Sequence, residues 1–213
     1  MMEEYNINQT TLAIVGLYRS NYLRACYLRE IARDVGVDVK AVQHQVKRLE
    51  RLNILTSKER GRITEYRLNL ANVLTRYFLI LAETFATTRY LAKHFVIKKL
   101  VSELGDAVDG GLVLFGSYAK GEPRRGSDID ILVLGEKTVK RSVFENVSRL
   151  IGTDISPKTI SRRQFLNGLR ENDPLVREVT ASHIVLKGAD QFCDLMWRYY
   201  ARIFGGCTTQ QLR

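Results

Sequence analysis

Apolar residues recur at helical spacing through the first fifty residues of the chain. Two such stripes are separated by Gly36. They consist of Leu28, Ile31, Ala32 and Val35, and of Val42, Val46 and Leu49. This spacing predicts two short helices joined by a tight turn, with Asp38 as the N-cap of the second. An earlier helix is expected from about residue 9 to residue 20, and the pattern as a whole is typical of a helix-turn-helix.

Alternating polar and apolar residues follow from position 54 to position 68, with Gly61 between them. Period-two alternation on both sides of a glycine predicts a two-stranded hairpin. Its tip is basic, with Lys58, Arg60 and Arg62.

Residues 72–91 form a helical pattern that is apolar on most of its surface. Arg76, Glu83 and Arg89 interrupt the apolar run, which leaves it too short for a membrane span. Such a helix must be covered, and two explanations remain open: a seam between two copies of the chain, or packing against the chain's own second half. We expect the helical stretch to continue to Leu104.

Two strongly apolar segments, 112–115 and 128–134, predict buried strands, the second of which opens at Asp128. The first ends at Gly116-Ser117. A residue without a side chain lets backbone N–H groups approach a phosphate, and Ser117 adds a hydroxyl donor. This end of the strand is therefore a candidate nucleotide site.

The second strand begins with a pair of carboxylates, Asp128 and Asp130. Strand alternation places both on one face and Ile129 on the other. Two adjacent carboxylates repel each other unless a cation or hydrogen bonds compensate them, and Mg²⁺ commonly binds one or two carboxylates together with substrate phosphates. The pair predicts a site for Mg²⁺ or Mn²⁺.

The sequence Phe115-Gly116-Ser117 followed by Asp128-Ile129-Asp130 resembles the signature of the DNA polymerase beta-like nucleotidyltransferases, and most closely that of their minimal branch. The resemblance covers roughly residues 92 to 190. It implies an NTP substrate and a divalent cation held by Asp128 and Asp130. It also implies that an acceptor hydroxyl attacks the alpha phosphate and releases pyrophosphate, as in two-metal catalysis.

Members of that superfamily commonly carry a third carboxylate on a later strand. Asp154 is the candidate here, because it follows a predicted helix from about residue 138 to residue 150. The resemblance implies that Asp154 helps to hold metal and to deprotonate the attacking hydroxyl; the alternative is an exposed loop aspartate. Lys120, Arg124 and Arg125 could screen the pyrophosphate or could be solvated loop residues.

The second predicted helix of the helix-turn-helix has a polar face suited to nucleic acid. It carries Lys40, Gln43, His44, Lys47 and Arg51. With the hairpin as a wing, this segment resembles the winged helix-turn-helix of prokaryotic regulators. The resemblance implies DNA contact by the helix face and phosphate contact by Lys58, Arg60 and Arg62. A protein-interaction role, with a solvated basic face, is the alternative.

We expect an α+β protein with an N-terminal winged helix-turn-helix, a long connecting helix and a C-terminal nucleotidyltransferase domain with a small mixed sheet. Two helices are predicted at 161–170 and 173–180, a closing strand at 184–188, and a last helix from 190 to 204 that Gly205-Gly206 would end. The expected domains are residues 1–70, 71–91, 92–190 and 191–213.

The chain has 213 residues and a net charge of +10, which favours polyanionic partners without choosing among them. Its three cysteines, Cys26, Cys193 and Cys207, lack zinc-ligand spacing and form an odd number. Together with the lack of a signal-peptide pattern, they favour a reducing cytoplasm. We expect no membrane association and a homodimer.

Two functions from different classes fit these patterns. The first is a metal-dependent nucleotidyltransferase that moves a nucleoside monophosphate to a hydroxyl of a partner protein, an RNA or a small molecule, coupled to a DNA-binding winged helix. The second is a DNA-binding transcription regulator whose transferase-like domain only senses nucleotides. The presence of Gly116, Ser117, Asp128 and Asp130 together favours the first.

Overall fold

The computed structural model describes residues 7–61, 63–105, 107–137 and 139–210, with side chains described up to residue 205. The chain divides into two compact units. One comprises residues 1–85 and 200–213, and the other comprises residues 86–199.

The first unit contains a helix-turn-helix followed by a hairpin. Its elements are α1 (Gln9–Gly16), β1 (Cys26–Tyr27), α2 (Leu28–Val35), α3 (Val39–Arg51), β2 (Leu55–Arg60), β3 (Ile63–Leu68) and the start of α4 (Val73–Leu91). The short turn between α2 and α3 ends at Asp38, whose carboxylate accepts a hydrogen bond of 2.8 Å from Lys40 N. This is the N-cap that the sequence predicts. Helix α1 is shorter than expected, since it ends at Gly16 rather than near residue 20.

Strands β1, β3 and β2 form an antiparallel sheet in that order. Apolar residues of the helices close the core beneath it, including Ile14, Ile31, Val42 and Leu49, which are fully buried. The predicted hairpin is therefore confirmed, and it packs as one layer of a small helical domain.

The second unit is built on a four-stranded mixed sheet. Its elements are the end of α4, then α5 (Phe95–Leu104), β4 (Gly111–Leu114), α6 (Gly116–Lys120), β5 (Ile129–Leu134), α7 (Arg141–Ile151), β6 (Ile155–Ile160), α8 (Arg162–Glu171), α9 (Pro174–Ala181), β7 (Ile184–Lys187) and the first half of α10 (Ala189–Gln210), whose last residues belong to the first unit. The strand order is β6-β5-β4-β7. Strands β5 and β6 are parallel, and the other two pairs are antiparallel. The α+β fold with a small mixed sheet is as expected.

One face of this sheet packs against α5 and α7. Side chains from alternate positions of the strands, such as Leu112, Leu114, Ile129 and Ile131, form one buried cluster there together with Phe144 of α7. The intervening strand residues point to the opposite face, as strand alternation requires. Asp130 belongs to that second set, so its carboxylate is on the face away from α7.

Strand β6 lies at the edge of the sheet and contains Pro157. Backbone hydrogen bonds join Ile129 N to Asp154 O and Gly135 N to Ile160 O, at 2.8 and 3.2 Å. They show that the backbone N–H and C=O groups of the even-numbered residues of β6 point towards β5. Pro157 is odd-numbered, so its missing N–H falls on the free side of the strand, where no ladder bond is lost.

Two further expectations about element ends are wrong. The helix expected to run on to Leu104 is interrupted at residues 92–94, where α4 ends and α5 begins. Gly205 and Gly206 do not end the last helix, because α10 continues to Gln210; a helix already formed tolerates glycine at a cost of about 1 kcal/mol each. Within the described residues, no helix is both long and apolar enough to cross a membrane.

Candidate active site and nucleic-acid interface

The close approach of Gly116 to Asp130 defines the candidate active site in the second unit. Gly116 is buried at the start of α6 with φ of 67°, a conformation that favours glycine. A Cβ built on Gly116 would overlap Asp130 Oδ2. The neighbouring backbone is tied to the same residue by a 3.1 Å hydrogen bond from Phe115 N to Asp130 O. A side chain at position 116 would therefore displace the carboxylate.

Asp130 is half-buried and Asp128 is exposed. Burial raises the pKa of Asp130 above its ordinary value, and the negative charges of Glu178 and Asp128 raise it further. A hydrogen bond with the Ser156 side chain and the positive charge of Lys158 act in the opposite direction. Burial first and neighbouring negative charge second thus disfavour the ionised form of this carboxylate, and a bound cation would offset both.

The register between β5 and β6 explains why Ser156 and Lys158 lie near Asp130. Asp130 pairs with Ser156 in this parallel ladder, and Lys158 follows two positions later on the same face. Neither residue was among the sequence-based candidates. Alternation from Asp154 could have pointed to both, but only the register determines which of them faces Asp130.

Asp154 lies immediately before β6, one register step from the pair formed by Ile129 and Ile155. Its backbone oxygen bonds to Ile129 N, and its side chain is exposed. Asp128 and Asp154 line the same open cleft of about 880 Å³, between α7 and the start of β6. Among the described residues, no set of three or more Asp, Glu, His or Cys side chains is close enough to hold a metal ion.

The candidate phosphate ligands differ in their surroundings. Ser117 is half-buried in the first turn of α6, beside Gly116. Lys120, in the last turn of α6, forms an ion pair of 3.3 Å with Glu178 of α9. Arg124 and Arg125 are exposed in the loop before β5. Glu178 had no sequence signal, because its relation to the site depends on how α9 packs.

The donor set suits Mg²⁺ or Mn²⁺. Asp128 and Asp130 offer hard carboxylate oxygens, and an ion of this kind completes its coordination with water and substrate phosphates rather than with protein groups alone. The raised pKa of Asp130 indicates that the protein itself does not fully compensate the charge of this carboxylate. The neighbouring carboxylates of Asp128 and Asp130 therefore fit such a cation.

In the first unit, the predicted polar face of α3 is on the surface. Lys40, Gln43, His44, Lys47 and Arg51 are all exposed, whereas Val42, Val46 and Leu49 of the same helix are buried. Five side chains capable of contacting phosphates or base edges thus share one solvent-facing helix surface.

The three wing residues do not share one environment. Lys58 is exposed on β2. Arg60 forms an ion pair of 3.3 Å with Glu65, whose carboxylate also accepts hydrogen bonds from Tyr27 and Arg67. Arg62 lies outside the described residues. Arg60 is therefore exposed to solvent but also forms an ion pair within the sheet.

Comparison with known proteins assigns the class of the second unit. Residues 96–182 match the family model "Nucleotidyltransferase domain", which spans the chain from α5 to the end of α9. This segment includes every candidate metal and nucleotide residue named above. Residues 96–182 are thus similar to a nucleotidyltransferase domain, and the enzyme class is that of a nucleotidyltransferase.

A more particular similarity is to a Methanocaldococcus jannaschii protein named "Putative protein adenylyltransferase". The two are 28% identical over 114 residues, which cover 49% of this chain and 72% of that protein. A crystal structure of a toxin-antitoxin with AMP-PNP covers 54% of this chain and 91% of its own, at 19% identity and a TM-score of 0.36. The structure of the archaeal chromatin protein TrmBL2 matches 79% of this chain and 68% of its own chain, at 14% identity and a TM-score of 0.27. TM-scores this low do not establish a common fold.

Proposed function

We propose that the second unit transfers a nucleoside monophosphate from an NTP to an acceptor hydroxyl with the help of Mg²⁺ or Mn²⁺, and that the first unit binds DNA. The observation that carries the catalytic part is the packing of Gly116 against Asp130, with Asp128 beside it. It joins a phosphate-approach position and a carboxylate pair in one place.

Each residue of the site has a defined task in this proposal. Asp128 and Asp130 hold the cation, which when bound supplies charge stabilisation to the phosphates. The backbone at Gly116, the hydroxyl of Ser117 and the charges of Lys120, Arg124 and Arg125 bind and orient the triphosphate. Positioned donors of this kind account for much of phosphoryl-transfer catalysis.

Asp154 is proposed to accept the proton of the attacking hydroxyl. It shares the cleft beside β6 with Asp128, so a hydroxyl entering that cleft would meet both carboxylates. The acceptor oxygen forms a bond to the alpha phosphorus, the bond to the pyrophosphate oxygen breaks, and the proton leaves through Asp154 to water.

ATP is the proposed donor and a protein hydroxyl the first acceptor to test. The support is the name of the M. jannaschii relative, which is 28% identical over 114 residues. RNA and small molecules remain the other acceptor classes. The cleft lies open to solvent at the sheet edge, which suits an acceptor carried by a larger molecule.

DNA binding by the first unit is proposed from the exposed face of α3 and from Lys58. Three of the five α3 residues are cationic, and a helix can lie in the major groove while flanking cations contact phosphates. The chain's net charge of +10 would assist the encounter. In this proposal the winged helix places or regulates the transferase on DNA.

The test is transfer of label from alpha-labelled ATP, GTP, CTP and UTP, with Mg²⁺ or Mn²⁺, into the protein, RNA and small-molecule fractions of a host lysate. We expect ATP to give the strongest labelling and Asp130→Asn to abolish it. Asp109→Asn is the matched control, since it removes the same charge from an exposed residue paired with Lys137.

The result also separates the two functions. Label that depends on Asp130 would support the transferase and identify the acceptor class. If no fraction is labelled while metal-dependent NTP binding is measurable, the proposal of transfer fails, and a nucleotide-sensing DNA-binding regulator takes its place.

A further inference from the structure

An ion pair connects two elements that flank the candidate active site. Lys120 Nζ lies 3.3 Å from Glu178 Oε1, and both side chains are 45% exposed. Lys120 is in the last turn of α6, the helix whose first residue packs on Asp130. Glu178 is in α9, next to the fully buried Val179. The packing of α9 thus sets the position of Glu178.

Glu178 is also an electrostatic neighbour of the carboxylate pair. Its charge is among the causes that raise the pKa of Asp130, ahead of the charge of Asp128. The charged groups that act on Asp130 therefore include Asp128, Lys158 of β6, and Glu178, which is joined to Lys120. Lys120 partly neutralises a group that would otherwise add to the repulsion.

We propose that Glu178 is a competing anion for Lys120, which the beta and gamma phosphates of the NTP displace on binding and which recaptures Lys120 as pyrophosphate leaves. This inference rests on the proposed function and adds a positioning residue to it. Lys120 can satisfy only one of two anionic partners at close range, since its charge is a single compact ammonium group.

Two consequences follow from this competition. Part of the attraction between Lys120 and the phosphates is used to replace Glu178, so the pair weakens the binding of both NTP and pyrophosphate. The weaker hold on pyrophosphate favours its release after transfer. AMP lacks the phosphates that reach Lys120 in this proposal, so its binding should not depend on the pair.

The experiment is a double-mutant cycle on the full chain with Glu178→Gln and Lys120→Met. Calorimetric titration would measure the dissociation constants of Mg²⁺-ATP, Mg²⁺-pyrophosphate and AMP for each variant. Glu178→Gln should tighten ATP and pyrophosphate about two- to fivefold more when Lys120 is present than in the Lys120→Met background, the range expected for an exposed ion pair. The same comparison with AMP should give a factor of about one.

Glu171→Gln is the matched control, because it removes one negative charge from an exposed position at the end of α8. Any general effect of charge on anion binding would appear there too. An equal effect of Glu178→Gln in both backgrounds, or an equal coupling with AMP, would overturn the inference while leaving the transferase intact. Absence of ATP binding in the wild-type protein would overturn the proposed function and this inference together.

Discussion

At the scale of single residues, the candidate active site depends on a close approach that only glycine permits. Gly116 has φ of 67°, and a Cβ there would overlap the Asp130 carboxylate. Gly121, at the other end of α6, has φ of 76° but no atom within 4 Å of a built Cβ. Substitutions at the two glycines would therefore share the backbone strain, and only the one at Gly116 would also displace Asp130.

We predict that Gly116→Ala destabilises the protein by more than Gly121→Ala and also removes transfer activity. Backbone strain alone should cost about 1–2 kcal/mol in each variant, and only Gly116→Ala adds the collision with Asp130. Urea unfolding and the labelling assay would measure both effects. Similar activity losses in the two variants would show that the packing of Gly116 on Asp130 has no special role.

The raised pKa of Asp130 leads to a pH prediction. The folded protein binds more protons than the unfolded chain between the ordinary aspartate pKa of about 3.9 and the raised value. The contribution of Asp130 to the free energy of unfolding therefore falls as the pH rises through that window. Without metal, Asp130→Asn should gain stability relative to wild type as the pH rises from about 3.5 to 7.

Urea unfolding in the presence of a chelator would test this at both pH values. Asp109→Asn is a control of opposite sign, because Lys137 lowers the pKa of Asp109. Its ionised form stabilises the fold above the ordinary aspartate pKa, and this contribution is lost as the pH falls. Asp109→Asn should lose stability relative to wild type over the same rise in pH. A pH-independent difference for Asp130→Asn would contradict the prediction.

At the scale of elements, α3 combines a buried apolar stripe with an exposed cationic one, so one helix both completes a core and presents a surface. We predict that Lys47→Ala with Arg51→Ala weakens binding to a DNA duplex. The slope of log K against log salt should fall by about 0.9 for each phosphate that the variant no longer neutralises. Fluorescence anisotropy over a salt series would measure it.

The control is Lys93→Ala with Lys98→Ala, which removes the same charge from exposed positions outside the first unit. A general loss of positive charge would affect both pairs alike. If the two double variants show the same slope as wild type, the face of α3 makes no phosphate contacts.

At the scale of the whole molecule, α4 keeps an apolar stripe on the surface. Leu74, Tyr77 and Leu81 are 38%, 55% and 41% exposed and recur at spacings of three and four residues. This is the spacing by which helices pair. We predict that the chain forms a homodimer through this stripe, and that Tyr77→Glu or Leu81→Glu shifts it to monomer in sedimentation velocity.

Leu150→Glu is the matched control, since Leu150 of α7 is 49% exposed and lies outside the stripe. It adds the same charge and removes a comparable apolar surface. A monomeric wild-type chain at micromolar concentration, or equal dissociation by all three variants, would contradict the dimer.

The sequence by itself determined most of the elements and where the candidate site residues lie along the chain. Helix and strand periods depend on residues a few positions apart, so α2, α3, β4 and β5 could be predicted with errors only at their ends. The grouping of Gly116, Asp128 and Asp130 also follows from local geometry. The ends of helices are harder to predict, because a residue such as Gly205 is tolerated inside a helix once the rest of the helix is formed.

The tertiary structure decided which distant residues meet. The pairing of β5 with β6 puts Ser156 opposite Asp130, and the packing of α9 brings Glu178 to Lys120 across 58 residues of sequence. The same is true of Arg60, which the hairpin register brings to Glu65. Periodicity assigns a side chain to a face, but its partner across that face depends on strand register and helix packing, which no local pattern encodes.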